Sequence, residues 1–165
     1  MVQYVINNKD FKTFGVYVSD SSGILDTPKP KNIQRYNWRE YHGSVVDLRN
    51  ICYEERNILL KCFVVGNSEA DFVEKVNGFT KHLSGSLKLS VNIGEVSIIC
   101  GCYLEKGIEV KKKWRGGTMV GEFDLSLCNA DPSDYLILRP DQPTILVDDN
   151  DTYFLITENN ILLTI

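Results

Sequence analysis

Two stretches of the chain alternate apolar and polar residues with a period of two. Leu87, Leu89, Val91 and Ile93 alternate with Ser86, Lys88, Ser90 and Asn92. Met119, Gly121, Phe123, Leu125 and Leu127 alternate with Val120, Glu122, Asp124 and Ser126. Successive strand side chains point to opposite faces, so both read as half-buried β-strands. Shorter alternations at Val2-Tyr4-Ile6 and Phe14-Val16-Val18 predict two more strands near the start. Residues 57–66, NILLKCFVVG, are apolar on both faces except for Lys61, which predicts a central strand covered on one side by a helix or a second sheet. Residues 96–104, VSIICGCYL, predict another buried strand.

One segment changes period. Phe72, Val73, Val76, Phe79 and Leu83 form a stripe at helical spacing, which predicts a helix over 69–84. Ser68 suits its N-cap, with Asp71 three residues on as the partner of a capping box. Glu69 and Asp71 favour the positive end of the helix dipole, Lys81 and His82 the negative end. Gly85 suits the C-cap. Lys75, Lys81 and Glu74 are expected in solvent.

The connections are uneven. Residues 19–35, stiffened by Pro28 and Pro30, read as an extended arm that docks through Ile24, Leu25 and Ile33. In residues 36–56, Tyr36, Trp38 and Tyr41 are candidate strand anchors, and Gly43-Ser44 reads as a turn. Residues 105–117 read as a long hairpin tip or protruding loop. After Pro132, the apolar pieces Tyr135–Leu138, Thr144–Val147, Thr152–Thr157 and Ile161–Ile165 are separated by RPDQP, DDND and ENN, which predicts a small β-meander or C-terminal arm. The fold class is therefore mainly β with one helix (α+β): an antiparallel β-sandwich or barrel flanked by a single α-helix. The expected division is a sandwich domain over 1–133 and a small β extension over 134–165.

Composition narrows the function classes. The 165 residues are 43% hydrophobic and 24% charged, as expected of one globular domain with a real core. No apolar run reaches the ~20 residues that span a bilayer, so no membrane insertion is expected. The first residues lack a charged segment leading into an apolar one, so no secretory signal is expected. A net charge of −4 is the wrong sign for a sequence-independent nucleic-acid binder. The five cysteines, Cys52, Cys62, Cys100, Cys102 and Cys128, are odd in number and mostly set in apolar runs, which suggests reduced thiols. Cys100 and Cys102 would share a strand face and read as small buried hydrophobes.

Candidate chemistry is sparse. His42 and His82 are the only histidines, a thin supply for zinc sites or triads. Glu54-Glu55 would point to opposite faces of a strand, which argues against paired acid–base work. Asp148-Asp149-Asn150-Asp151 lacks the glycine and distal glutamate of a calcium loop and reads as a turn. Gly116-Gly117 reads as a flexible or positive-φ pair rather than a phosphate cradle. No cofactor, metal or catalytic residue is expected. Lys111-Lys112-Lys113-Trp114-Arg115 is the densest basic run; Trp and Arg are typical interface anchors, and the lysines discourage stray strand pairing.

Residues 42–104 carry a resemblance. His42-Gly43-Ser44-Val45-Val46, then Tyr53-Glu54-Glu55-Arg56-Asn57-Ile58, a strand, one helix, and Leu87-Lys88-Leu89 resemble the N-terminal domain of phage distal tail proteins. That family places a Gly-Ser/Thr turn before a Tyr-x-x-Arg-x-Ile strand, and its ring domain is similar to tail-tube proteins. The likeness covers roughly residues 10–130. It implies a structural component of a phage tail, of distal-tail, baseplate or tail-tube type, with six copies in a ring around a central channel. The implied partners are the chain itself, the tail tube, the tape measure and the baseplate hub, with DNA only passing through. The implied place is the virion, after assembly in the host cytoplasm. Expected interface residues are Ile24, Leu25, Pro28, Pro30 and Ile33 in the arm, which would be the family's belt, and Ile108, Val110, Lys112, Trp114 and Arg115 in the hairpin. About 30 residues follow Pro132, too few for the galectin-like second domain that many such proteins carry, so none is expected. Two other readings compete. A monomeric β-sandwich could bind carbohydrate or peptide through Tyr36, Trp38, Tyr41 and Trp114. A small enzyme would have to draw on His42 or His82.

Overall fold

The structure, a computed structural model, describes residues 2–138 apart from 32, 47, 50, 116, 117 and 134, and the backbone of residues 144–147, 153–156 and 162–164. Gly116-Gly117, the acidic segment 148–151, the linkers beside it and the side chains of Trp114 and Arg115 lie outside the described residues.

In chain order the strands are β1 (Val2–Ile6), β2 (Lys9–Asp10), β3 (Val16–Ser22), β4 (Arg35–Tyr36), β5 (Val45–Val46) and β6 (Arg56–Gly66). The helix α1 (Glu69–His82) follows, then β7 (Leu87–Ile93), β8 (Val96–Leu104), β9 (Lys111–Arg115), β10 (Thr118–Asn129) and β11 (Tyr135–Leu138). Last come β12 (Thr144–Val147), β13 (Tyr153–Ile156) and β14 (Leu162–Thr164). A 3-10 turn at Phe11–Phe14 lies between β2 and β3. Asn7 and Asn8, both at positive φ, make the two-residue turn between β1 and β2, a conformation asparagine tolerates better than most residues.

Nine strands form one antiparallel sheet in the order β2-β1-β7-β8-β10-β6-β3, with β11 beside β8 and β9 beside β10. The sheet is two half-sheets. They join where β10 pairs with β8 through only Leu127↔Leu104 and Cys128↔Tyr103, and beyond that point the strands diverge. The inner faces share one core: Leu87, Leu89, Val91, Ile98 and Cys100 from one half, and Ile58, Leu60, Val64, Phe123 and Leu125 from the other. This is the antiparallel sandwich with a single helix that the alternation predicts. Residues 135–138 pair with β8 at the main sheet. The strands β12, β13 and β14 form a separate three-stranded meander.

The helix lies on the inner side of β6 and β10. Phe79 meets Phe11, Phe14 and Phe123 at ring separations of 5.1, 5.8 and 5.9 Å. Burying a side chain of that size contributes roughly 1.5–3 kcal/mol. Gly66 and Gly121 let the helix approach: a Cβ on Gly66 would sit 2.6 Å from Phe72 Cβ, and one on Gly121 would sit 2.7 Å from the Phe72 ring.

Several expectations need correcting. The helix ends at His82 with Leu83 as its C-cap, two residues short of 84; Gly85 follows at φ +82°. Val73 is 53% exposed and lies off the apolar stripe. Lys75 is not fully in solvent, because its ammonium turns back to the Val65 carbonyl at 3.0 Å and to Asp71 at 2.8 Å. β6 is central, between β3 and β10, but only its inner face is fully buried. Leu59, Phe63 and Val65 on its outer face are half-buried, since the helix packs on the opposite side. β3 runs on to Ser22, with a bulge between Val18 and Asp20, so the arm starts at Gly23 rather than at residue 19. Residues 111–115 are not a loop tip: β9 pairs along the edge of β10.

Candidate functional site

The excursion between β3 and β6 is the most distinctive feature of the surface. Gly23 starts it at φ +84°, pressed so close to β6 that a Cβ there would lie 2.0 Å from the Asn57 carbonyl oxygen. Ile24 then enters the core and is 6% exposed. The outgoing and returning chains meet at a narrow base. Pro30 bridges Tyr53, the Lys31 amide donates to the Cys52 carbonyl at 2.8 Å, and the Glu54 amide donates to the Lys29 carbonyl at 2.7 Å. Beyond the base, β4 and β5 pair through Arg35↔Val46 and Tyr36↔Val45. Gly43 takes φ +81° in the turn between them, as the Gly-Ser pair predicts.

The outer part of this arm is apolar and exposed. Trp38 is 58% exposed and Tyr41 73%, with Tyr36, Val45 and Leu48 also in solvent. Of the three candidate strand anchors, Tyr36 lies on β4, whereas Trp38 and Tyr41 lie outside the strands. An exposed aromatic set of this kind on a β-excursion is the usual mark of an interaction surface.

The expected interface residues form two groups, one in the arm and one in and before β9. Leu25, at 71% exposed, and Pro30 stand in solvent on the arm, while Pro28 and Ile33 are half-buried. Ile24 faces inward and holds the arm to its own subunit. Ile108 and Val110 are half-buried against the core, before β9 begins. Lys112 is exposed on β9, opposite Gly121, and the backbones of Trp114 and Arg115 pair with Met119 and Thr118. The structure does not bring the two groups of candidates together: the arm leaves from β3 and β6, and β9 lies on the far side of β10.

Below the arm is an open crevice of about 570 Å³. Asp26, Lys29, Lys31, Glu54, Glu55 and Arg56 line it, three acids against three bases. Glu54 and Glu55 share this crevice rather than facing opposite ways, because β6 begins only at Arg56. Arg56 and Asn129 are buried opposite each other in the β6–β10 register, and Arg56 donates to the Ile24 carbonyl at 3.5 Å. Arg56 thus ties the foot of the arm to the end of the sandwich, with Asn129 buried across from it. Periodicity could not find it, since both residues follow the inward alternation of apolar neighbours.

Three of the buried thiols are held protonated. Burial pushes the Cys62 and Cys102 thiols up to about 12 and raises Cys128. A thiol held protonated is a poor nucleophile. Tyr103 is pushed up to about 12 by its bond to Cys128 and the nearby charges of Glu55 and Glu105. Among the described residues, no group of three or more His, Cys, Asp or Glu is placed to hold a metal ion. No helix among them is long and apolar enough to cross a membrane.

Comparison with solved structures finds matching chains, among them a phage protein. The fold is shared with the Dit protein of phage SPP1. That protein is described as a paradigm of the hub adsorption apparatus in phages infecting Gram-positive hosts. The match has a TM-score of 0.58 at 13% identity and covers 88% of this chain. It takes in 55% of the Dit chain, so the present chain spans little more than half of that protein's length. No protein-family model and no curated protein sequence matches the chain.

Proposed function

We propose that this chain is a structural component of a phage tail, of distal-tail, baseplate or tail-tube type, and that six copies close into a ring around a central channel. The shared fold with SPP1 Dit is the observation that carries this reading. The motifs at 42–58 and 87–89 point the same way. The role is assembly, with the chain's own copies and neighbouring tail proteins as partners, and no catalysis is proposed.

The topology supplies a way to close a ring. In the half-sheet β3-β6-β10-β9, β3 pairs with β6 and β9 with β10, and among the described residues neither has a partner on its other side. Such edges are an aggregation hazard in a monomer. Head-to-tail pairing of β3 on one copy with β9 on the next would satisfy both, and a heterologous contact of this kind closes into a ring when its rotation is right.

Negative-stain images of the concentrated protein test this. The expected result is closed rings whose averages show six-fold symmetry and a central hole. Dispersed single subunits, together with saturable binding of a sugar or peptide lost in Trp38→Ala, would favour the monomeric binding module instead.

A further inference from the structure

The half-sheet β2-β1-β7-β8-β11 extends past the core that covers it. Along the inner side of β7, Leu87, Leu89 and Val91 are buried, but Ile93, the next residue on that side, is 41% exposed. Of its register partners, Val2 on β1 is 40% exposed and Val96 on β8 is half-buried. One row back, Ile137 of β11 lies opposite the buried Ile98 and is 46% exposed. Residues directly opposite in an antiparallel pair share a face, so these side chains form one apolar patch on the inner face, where β7 turns into β8. The patch runs on to an uncharged edge. β11 pairs with β8 and, among the described residues, with nothing on its other side, and Tyr135–Leu138 holds no charged residue. Strand edges are commonly blunted by charge, as β9 is by its lysines.

The chain itself supplies a cover. The meander β12–β14 has no charged residue within its three strands. By register, Ile145, Leu155 and Leu163 fall on one of its faces, and Leu146 and Phe154 on the other. A sheet with an apolar face buries that face against another element. Only five residues, 139–143, join Leu138 to Thr144, so β12 starts within about 20 Å of Leu138, next to Ile137. A tether that short holds the meander at an effective concentration on the order of millimolar, above what a second copy supplies in dilute solution.

We infer that the C-terminal meander docks, within its own subunit, over the open end of the inner face and covers Val2, Ile93 and Ile137. This does not rest on the ring, since β3 and β9 lie in the other half-sheet. The cover keeps the uncharged β11 edge from pairing indiscriminately with other chains.

The experiment follows iodoacetamide alkylation of introduced cysteines in the full chain, read at each site by peptide mass spectrometry. Ile93→Cys reports the patch. Tyr17→Cys on β3 is the matched control, because Tyr17 is also 41% exposed. Both positions meet solvent, so both variants should keep the wild-type circular dichroism and Tm. The expected result is alkylation of Ile93→Cys at least about tenfold slower than Tyr17→Cys, at every protein concentration. Adding Phe154→Asp/Leu155→Asp, one charge on each face of the meander, should bring Ile93→Cys up to the control rate. A second measurement needs no variant: hydrogen exchange of the wild-type chain should find the β13 amides protected, as a docked central strand requires. Equal rates at the two cysteines, or unprotected β13 amides in wild type, would overturn the proposal. Slow alkylation that survives Phe154→Asp/Leu155→Asp would also overturn it, because something other than the meander then covers the patch. Protection that disappears on dilution would do the same, with a second copy as the occupant.

Discussion

At the scale of single residues, the helix N-terminus shows what sequence can and cannot specify. The Ser68 hydroxyl accepts from the Asp71 amide at 3.2 Å, as the S-x-x-D spacing predicts. The reciprocal bond departs from a standard capping box: the Asp71 carboxylate accepts from the Asn67 amide at 2.9 Å rather than from Ser68. It also takes Lys75 at 2.8 Å, and those bonds hold its carboxyl below the usual range, the Lys75 contribution first. A carboxylate with a lowered folded-state pKa stabilises the fold above its unfolded value, here near 3.8, and loses that contribution as pH falls through the folded pKa. Asp71→Asn should therefore lower Tm at pH 7, with the gap to wild type closing below about pH 4; a gap that is constant with pH would contradict the assignment. Lys75 was legible as a helix residue but not as a clamp, because its second partner, the Val65 carbonyl, comes from the preceding strand. The cysteines follow the sequence reading more closely. With four of five thiols buried and Cys62 and Cys102 pushed up to about 12, Ellman's reagent at pH 8 should find one fast thiol per folded chain and five after unfolding. Two or more fast thiols would mean the sandwich opens.

At the scale of elements, strands with one buried face could be read directly, because their alternation reports burial. β7 and β10 place Leu87, Leu89, Val91, Phe123, Leu125 and Leu127 inward, as their pattern predicts. Edge strands could not be read so easily. The second half of β3, Asp20-Ser21-Ser22, and the lysine-rich β9 have polar sequences because their outer sides meet solvent, so they look like loops. Their pairing is set by β6 and β10, which are distant in sequence. The helix is fastened by aromatic contacts that the stripe only half revealed. Phe79→Ala removes the side chain shared by Phe11, Phe14 and Phe123 and should cost about 3–5 kcal/mol in denaturant unfolding. Gly66→Ala should cost about 1–3 kcal/mol by overpacking, because the intruding Cβ meets Phe72 backbone and Cβ, which cannot swing away. A neutral Gly66→Ala would show that the strand–helix approach is looser than the structure has it.

At the scale of the whole molecule, the sheet order and the exposed arm are the features on which the proposed function rests, and neither is a local property. The sequence pattern supports a mainly β sandwich with one helix, but not the crossing of β8 and β10 at two residue pairs, which turns a nine-stranded sheet into two facing halves. It marked Pro28, Pro30 and the apolar residues around them as an arm. It could not say that Ile24 turns inward while Trp38 and Tyr41 stay in solvent, since exposure depends on what the rest of the chain leaves uncovered. The same exposure and two strand edges open among the described residues leave surface for the proposed self-assembly, which is the central claim. Its most direct test is the solution mass of the purified chain, by size-exclusion chromatography with light scattering over a wide range of concentration. The account predicts a concentration-dependent rise to a discrete species of six chain masses. A single chain mass across the whole range would contradict it.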